Sequence, residues 1–178
     1  MSDRLLLDLV RDDLVSCAWA CGEISVLSDG TPWRPLIDVT DMARAIEWAT
    51  GREAATGGPV LSVNVGANGW NHQVKDLPAA VADAVPTTRV RVNTAAAPDR
   101  RSYRVGCSLY ARLAPAHQPR SSLAQSIARL RDGLGRMGFA DPEFRGSSLI
   151  RLKVQERLIA AGQLTPDLRW ATGQAAAA

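Results

Sequence analysis

Lysine is almost absent: among the 21 basic residues only Lys75 and Lys153 are not arginine. Histidine occurs twice, at His72 and His117, and tyrosine twice, at Tyr103 and Tyr110. No apolar run approaches the ~20 residues that a membrane-crossing helix needs, so no membrane association is expected. The three cysteines, Cys17, Cys21 and Cys107, are odd in number, which argues against a disulfide framework. Cys17 and Cys21 lie one helical turn apart, but two ligands do not close a zinc site. They read as core packing. The basic residues are scattered without interleaved aromatics and the net charge is only +3, so a nucleic-acid partner is not expected. The opening MSDRLLLDLVRDD threads charges through its leucines; no signal-peptide core is read there, and the expectation is a cytoplasmic protein. No Ser–His–Asp arrangement, metal cluster or phosphate-binding loop can be read.

What is present suits one domain. A chain of 178 residues buries roughly 70% of its unfolded surface on folding. Ser2 or Asp3 can cap a first helix with Leu6, Val10, Leu14 and Cys17 on one side, and Gly22 stops it. Residues 23–27 alternate as a half-buried strand, with Ile24 and Val26 on one face. The Asp29-Gly30 turn returns the chain into a second strand, residues 33–39. Thr40 is expected to cap a helix over 41–50 that buries Met42, Ile46 and Ala49. After a flexible loop at 51–59, residues 60–65 form a β-rich run and the turn at 66–69 leads to a helix at about 74–84. A strand follows at 89–93, then helices at 107–113, from Ser121 or Ser122 to 136, and at 147–161. The fold expectation is one mixed α/β (α+β) lobe over residues 1–170, with helices around short, partly antiparallel strands, and a disordered tail at 171–178.

Arg34 sits at the mouth of the Asp29-Gly30 turn, where a guanidinium fork can meet a carboxylate or phosphate in bidentate fashion. His72 and His117 are the side chains able to act as acid or base near neutral pH. A literal G-x-G-x-x-G runs from Gly133 to Gly138, but at a helix end. A dinucleotide fingerprint must follow a strand and open a helix, so this one reads as a helix terminus.

Three stretches, LDLVRDDLVSCAWACGEISVLSDGTPWRPLIDVTDMARAI, LSVNVGANGWNHQVKDLPAAV and PDRRSYRV, resemble in order and spacing the C-terminal portion of extended short-chain dehydrogenase/reductases, the NAD-dependent epimerase/dehydratase family. The resemblance covers about residues 4–170. It implies a substrate lobe for nucleoside-diphospho-sugars. Arg34, and Arg100 or Arg101, would contact the diphosphate; Val26 and Leu27 would lie on a strand whose backbone meets the base. Asp12 and Asp13 stand where relatives commonly carry Asn, which places Asp13 at the phosphate side, and Asp38 stands where relatives usually have His. The resemblance also implies that Asp38, Asp41 and Tyr103 share a cleft with Arg34; Asp38, His72 and Tyr103 are the candidate catalytic groups should the chain be a cofactor-independent isomerase or cyclase. A buried carboxylate there is expected to have a raised pKa.

The family's hydride chemistry needs a Tyr with a Lys four residues later. Here Cys107 follows Tyr103 and Ala114 follows Tyr110 at that spacing. The expectation is therefore that no cofactor is bound by this chain alone and that NAD comes through a partner chain carrying the Rossmann domain. Two other readings stand beside this one: a cofactor-independent isomerase or cyclase acting on a non-nucleotide substrate, and a non-catalytic binding or stabilising subunit that self-associates.

Overall fold

The computed structural model describes residues 7, 9–26, 28–96 and 101–171. Leu27, Arg100, the expected start of the first helix before residue 7 and the tail beyond 171 lie outside the described residues. Helix α1 (Val10–Cys21) has its last carbonyls closed by Gly22, whose amide bonds to the Ala18 carbonyl. Strand β1 (Glu23–Val26) follows, with Ile24 and Val26 buried as the alternation requires.

The short strands pair differently from the expected hairpin. β1 lies parallel to β4 (Arg89–Val92), Ile24 opposite Val90 and Val26 opposite Val92. β2 (Trp33–Pro35) runs antiparallel to β3 (Asn71–Gln73), Arg34 opposite His72. β2 stops at Pro35, short of the expected residue 39, because proline lacks the N–H that would extend a ladder. β3 was not expected: Asn71-His72-Gln73 has no apolar alternation to announce it.

The main core is built by Leu14, Val15 and Ala18 of α1, by Ile24 and Val26, by Leu77 and Val81 of α3 (Asp76–Ala84), and by Ile127 and Leu134 of α5 (Leu123–Arg136). Ser122 opens α5 with a reciprocal capping box to Gln125. A second cluster joins Leu7, Cys17 and Phe144. A third joins Ala45 to Tyr110 and Ala114, with Tyr110 on α4 (Ser108–Leu113). Cys17 and Cys107 are buried, as expected of small hydrophobes, but Cys21 is exposed. α6 (Arg151–Ala160) is shorter than the expected 147–161, and residues 144–146 form a separate single turn ahead of it. No helix among the described residues is long and apolar enough to cross a membrane.

Helix α2 (Val39–Gly51) departs most from expectation. Asp38, not Thr40, is its N-cap: its carboxylate accepts the Thr40 amide at 2.9 Å. The buried side is Asp41 and Ala45, with Trp48 edge-on to Tyr110 at 5.4 Å between ring centroids. Met42 and Ile46, expected inside, are exposed, and Ala49 is too. The rotation follows from Asp41, whose two oxygens accept the amides of Arg120 and Ser121 at 3.0 Å each. A carboxylate that caps two main-chain amides outweighs a stripe of side chains that can stay in water.

Candidate functional site

The site grows from the Asp29-Gly30 turn. Asp29 accepts the Thr31 amide at 3.0 Å and its hydroxyl at 2.8 Å, the local bonding that favours Asp in turns. Gly30 has φ +77°, and its carbonyl accepts the Lys75 amide at 2.9 Å. The turn is thereby pinned against the start of α3 and delivers the chain into β2.

Residues 101–107 run alongside as a second extended segment. The Trp33 amide donates to the Ser102 hydroxyl at 3.1 Å and the Tyr103 amide to the Trp33 carbonyl at 3.4 Å. The Arg104 guanidinium stacks on the Trp33 ring, 4.6 Å from its centroid. Tyr103, Val105 and Cys107 then alternate to the other side, where with Pro35, Ile37, Asn64 and Asn71 they line a cavity of about 250 Å³. A neighbouring cavity of similar size shares Gly66, Ala67 and Cys107 and reaches Arg112 and Gln118.

Three asparagines hold the groove's walls together. Asn71 donates to the Val105 carbonyl at 3.0 Å and accepts the Val105 amide at 2.8 Å. Asn68 accepts the Cys107 amide at 2.8 Å, and Asn64 donates to the Gly106 carbonyl at 3.4 Å. A side-chain amide carries both a donor and an acceptor, so it can replace a neighbouring strand. These residues were not singled out from sequence, although three Asn around a Gly-rich turn are the available signal.

The candidate residues do not gather in one place. Arg34 donates through one guanidinium nitrogen to the Trp33 carbonyl at 2.9 Å and to the Arg101 carbonyl, so Arg34 and Arg101 are brought together. Tyr103 is exposed and lines the groove. His72 lies opposite Arg34, on the face away from Pro35 and Asn71; burial pushes its imidazole pKa below the usual value, partly offset by Asp76.

The remaining candidates lie elsewhere. The Val26 side chain is in the main core and its carbonyl accepts the Asn93 amide at 3.0 Å. Asp13 is held by both arms of the Arg145 fork at 2.8 Å, outside the groove wall. Asp38 is buried under α5: the Ser126 hydroxyl donates to it, and Arg129 pairs with it at 2.8 Å.

The expectation of a raised carboxylate pKa is overturned. Burial alone would raise the Asp38 pKa, but bonds from Ser126, the Thr40 hydroxyl and amide, and Arg129 outweigh it and hold the carboxyl at about 2. Asp41 is likewise lowered, burial being outweighed by the Arg120 and Ser121 amides and by Arg44. The Cys107 thiol is pushed up by burial. The glycine-rich match falls inside α5 and just past its end, with no strand before it. Among the described residues no three His, Cys, Asp or Glu are grouped to hold a metal ion.

No protein-family model and no curated protein sequence matches this chain. Solved structures do match its fold. One is the NAD-dependent NDP-hexosamine 5,6-dehydratase TunA of tunicamycin biosynthesis, with a TM-score of 0.57, 20% identity, and coverage of 76% of this chain and 42% of that enzyme. Another is a GDP-L-fucose synthetase from Naegleria fowleri, with a TM-score of 0.59, 19% identity, and coverage of 74% and 41%. The same enzyme bound to NADP gives 0.59, 18%, 75% and 42%. The chain therefore spans about two fifths of the length of these enzymes and shares the fold of the part of them that it covers.

Proposed function

We propose that this chain is the substrate lobe of an epimerase/dehydratase-like protein, binding a nucleoside-diphospho-sugar type of ligand in the groove beside Tyr103, with the redox cofactor held by a separate Rossmann-type domain. The observation that carries the reading is the Arg34–Arg101 contact. It ties the Arg34 guanidinium to the main chain of Arg101, two residues before Tyr103, which with Val105 lines the groove. In this arrangement Arg101 meets the diphosphate and Arg34 braces the main chain that presents it. A guanidinium can grip phosphate oxygens in pairs, and the apolar and amide wall suits a sugar's faces and hydroxyls. The acid–base alternative draws no support from Asp38, whose carboxylate is committed to Thr40, Ser126 and Arg129.

Thermal shift and calorimetry test the reading, with UDP- and GDP-sugars, the corresponding free sugars and NAD compared side by side. At about 100-fold excess over Kd a true ligand adds about 2.7 kcal/mol, a rise of roughly 5–10 °C for a chain of this size. The nucleotide sugar is expected to give that rise, and NAD alone none. Arg101→Ala should weaken nucleotide-sugar binding about tenfold to a hundredfold. Arg34→Ala should weaken it as well and lower the unliganded midpoint, because it releases residue 101. Equal responses to the free sugar and the nucleotide sugar would refute the diphosphate assignment.

A further inference from the structure

The groove beside Tyr103 and its neighbouring cavity, about 250 Å³ each, adjoin across a waist formed by Gly66, Ala67 and Cys107. They differ in charge. Among the described residues that line either hollow, Arg112 in the second is the one charged side chain, and no acid is present.

The short helix α4 puts Arg112 there. Ser108, Ala111 and Arg112 are spaced i, i+3 and i+4, which sets them on one side of the helix, and all three line the second cavity. The Asn68 side-chain nitrogen donates to the Ser108 hydroxyl at 3.2 Å, which leaves the hydroxyl proton available to a ligand. Arg44, Arg129 and Arg145 are each held by a carboxylate. Among the described residues the Arg112 guanidinium has neither a hydrogen bond nor an ion pair. Burial raises the pKa of the Cys107 thiol, so the sulfur at the waist stays uncharged near neutral pH and does not repel an anion.

We propose that the second cavity is an anion subsite of the groove, in which Arg112 and Ser108 receive a carboxylate carried on the sugar, so that the preferred ligand is a nucleoside-diphospho-uronic acid. The inference rests on the nucleotide-sugar reading and adds to it which sugar the lobe selects. With the diphosphate at the Arg101 end of the extended segment, a sugar lying along Tyr103 and Val105 extends toward Cys107 and the cavity beyond it. A guanidinium fork meets both oxygens of a carboxylate, and the Ser108 hydroxyl adds a further donor. A neutral hydroxymethyl group in the same place gains no charge-assisted contact. The absence of an acid from both walls leaves the attraction unopposed.

Calorimetry on the full chain with UDP-glucuronate and UDP-glucose tests this, since the two differ only in carrying a carboxylate or a hydroxymethyl group on one ring carbon. UDP-glucuronate is expected to bind about tenfold more tightly. Arg112→Gln should remove that preference, the loss falling on UDP-glucuronate. Arg112 is exposed, so the unliganded thermal midpoint of Arg112→Gln should match that of the wild type. Arg112→Lys keeps the charge without the fork and should retain part of the preference. Equal affinities of the wild type for the two ligands would overturn the subsite and leave the diphosphate assignment standing; so would a preference that survives Arg112→Gln. If neither UDP-sugar binds, the subsite is overturned as well, and the comparison with GDP-sugars decides whether the nucleotide-sugar reading falls with it.

Discussion

Asp38→Ala is expected to lower stability by about 3 kcal/mol, the scale for losing a helix cap together with hydrogen bonds to a charged group, and the melting midpoint by roughly 10 °C. Asp38 is 4% exposed and is where α2 and α5 meet. Its carboxylate accepts from the Thr40 amide and hydroxyl at 2.9 and 2.6 Å and from Ser126. The Ser126 hydroxyl in turn accepts from Arg11 of α1 at 2.6 Å. Deleting the carboxylate removes a helix cap, leaves the Ser126 hydroxyl without its acceptor and leaves Arg129 with the Ser121 hydroxyl alone. Asp38→Asn keeps a capping oxygen and should cost less.

The same carboxyl sets an acid limit. It titrates at about 2 in the folded chain against an ordinary 3.8, so between those values the unfolded state binds more protons and stability rises with pH. The contribution, about 2 kcal/mol, is fully present above 3.8 and is lost as pH falls through about 2. Urea unfolding at neutral pH and again below 3.8 should show the gap between wild type and Asp38→Asn narrowing on acidification. A gap that stays constant with pH would mean that the charge at Asp38 contributes nothing.

Gly30→Ala is expected to have an effect of similar size for a different reason. A Cβ built at Gly30 would stand 2.6 Å from the Lys75 Cβ and 3.1 Å from its Cα, at φ +77°. Left-handed backbone costs a non-glycine residue about 1–2 kcal/mol, and forcing apart a packed turn typically costs another 1–3 kcal/mol; about 3 kcal/mol in all is expected. Gly22→Ala is the internal control. Its φ of +65° is similar, but nothing lies within 4 Å of the added carbon, so only the backbone cost of about 1–2 kcal/mol should appear. Equal losses in the two variants would show that the Gly30–Lys75 approach carries no energy. Because that contact fixes where β2 begins, Gly30→Ala should also weaken ligand binding in the groove, whereas Gly22→Ala should not.

Much of the local structure was legible in the residues. Gly22 after an apolar helical stripe, the alternation of Ile24 and Val26, the Asp29-Gly30 turn and the Ser122–Gln125 box all act through their immediate neighbours. The placement of Arg34 and Arg101 near one another was also accessible, through the resemblance. The orientation of α2 was not. Hydrophobic periodicity chose Met42, Ile46 and Ala49 as its inner side, whereas the amides of Arg120 and Ser121 claim Asp41, 79 and 80 positions away in sequence. The role of Asp38 was hidden for the same reason. Its partners Ser126 and Arg129 are distant in sequence, and only their arrival turns burial, which raises a carboxyl's pKa, into a net lowering.

The sequence by itself determined the end of α1 at Gly22, the Asp29-Gly30 turn and the opening of α5 at Ser122, because capping, glycine backbone freedom and alternation are decided within a few residues. Tertiary structure alone decided which strands pair, which side of α2 is buried, and which acids are spent on main-chain amides rather than on a ligand. Those outcomes depend on donors and acceptors brought together from distant positions, and a hydrogen bond to a buried carboxylate outweighs the preference of a partly exposed apolar side chain to be covered.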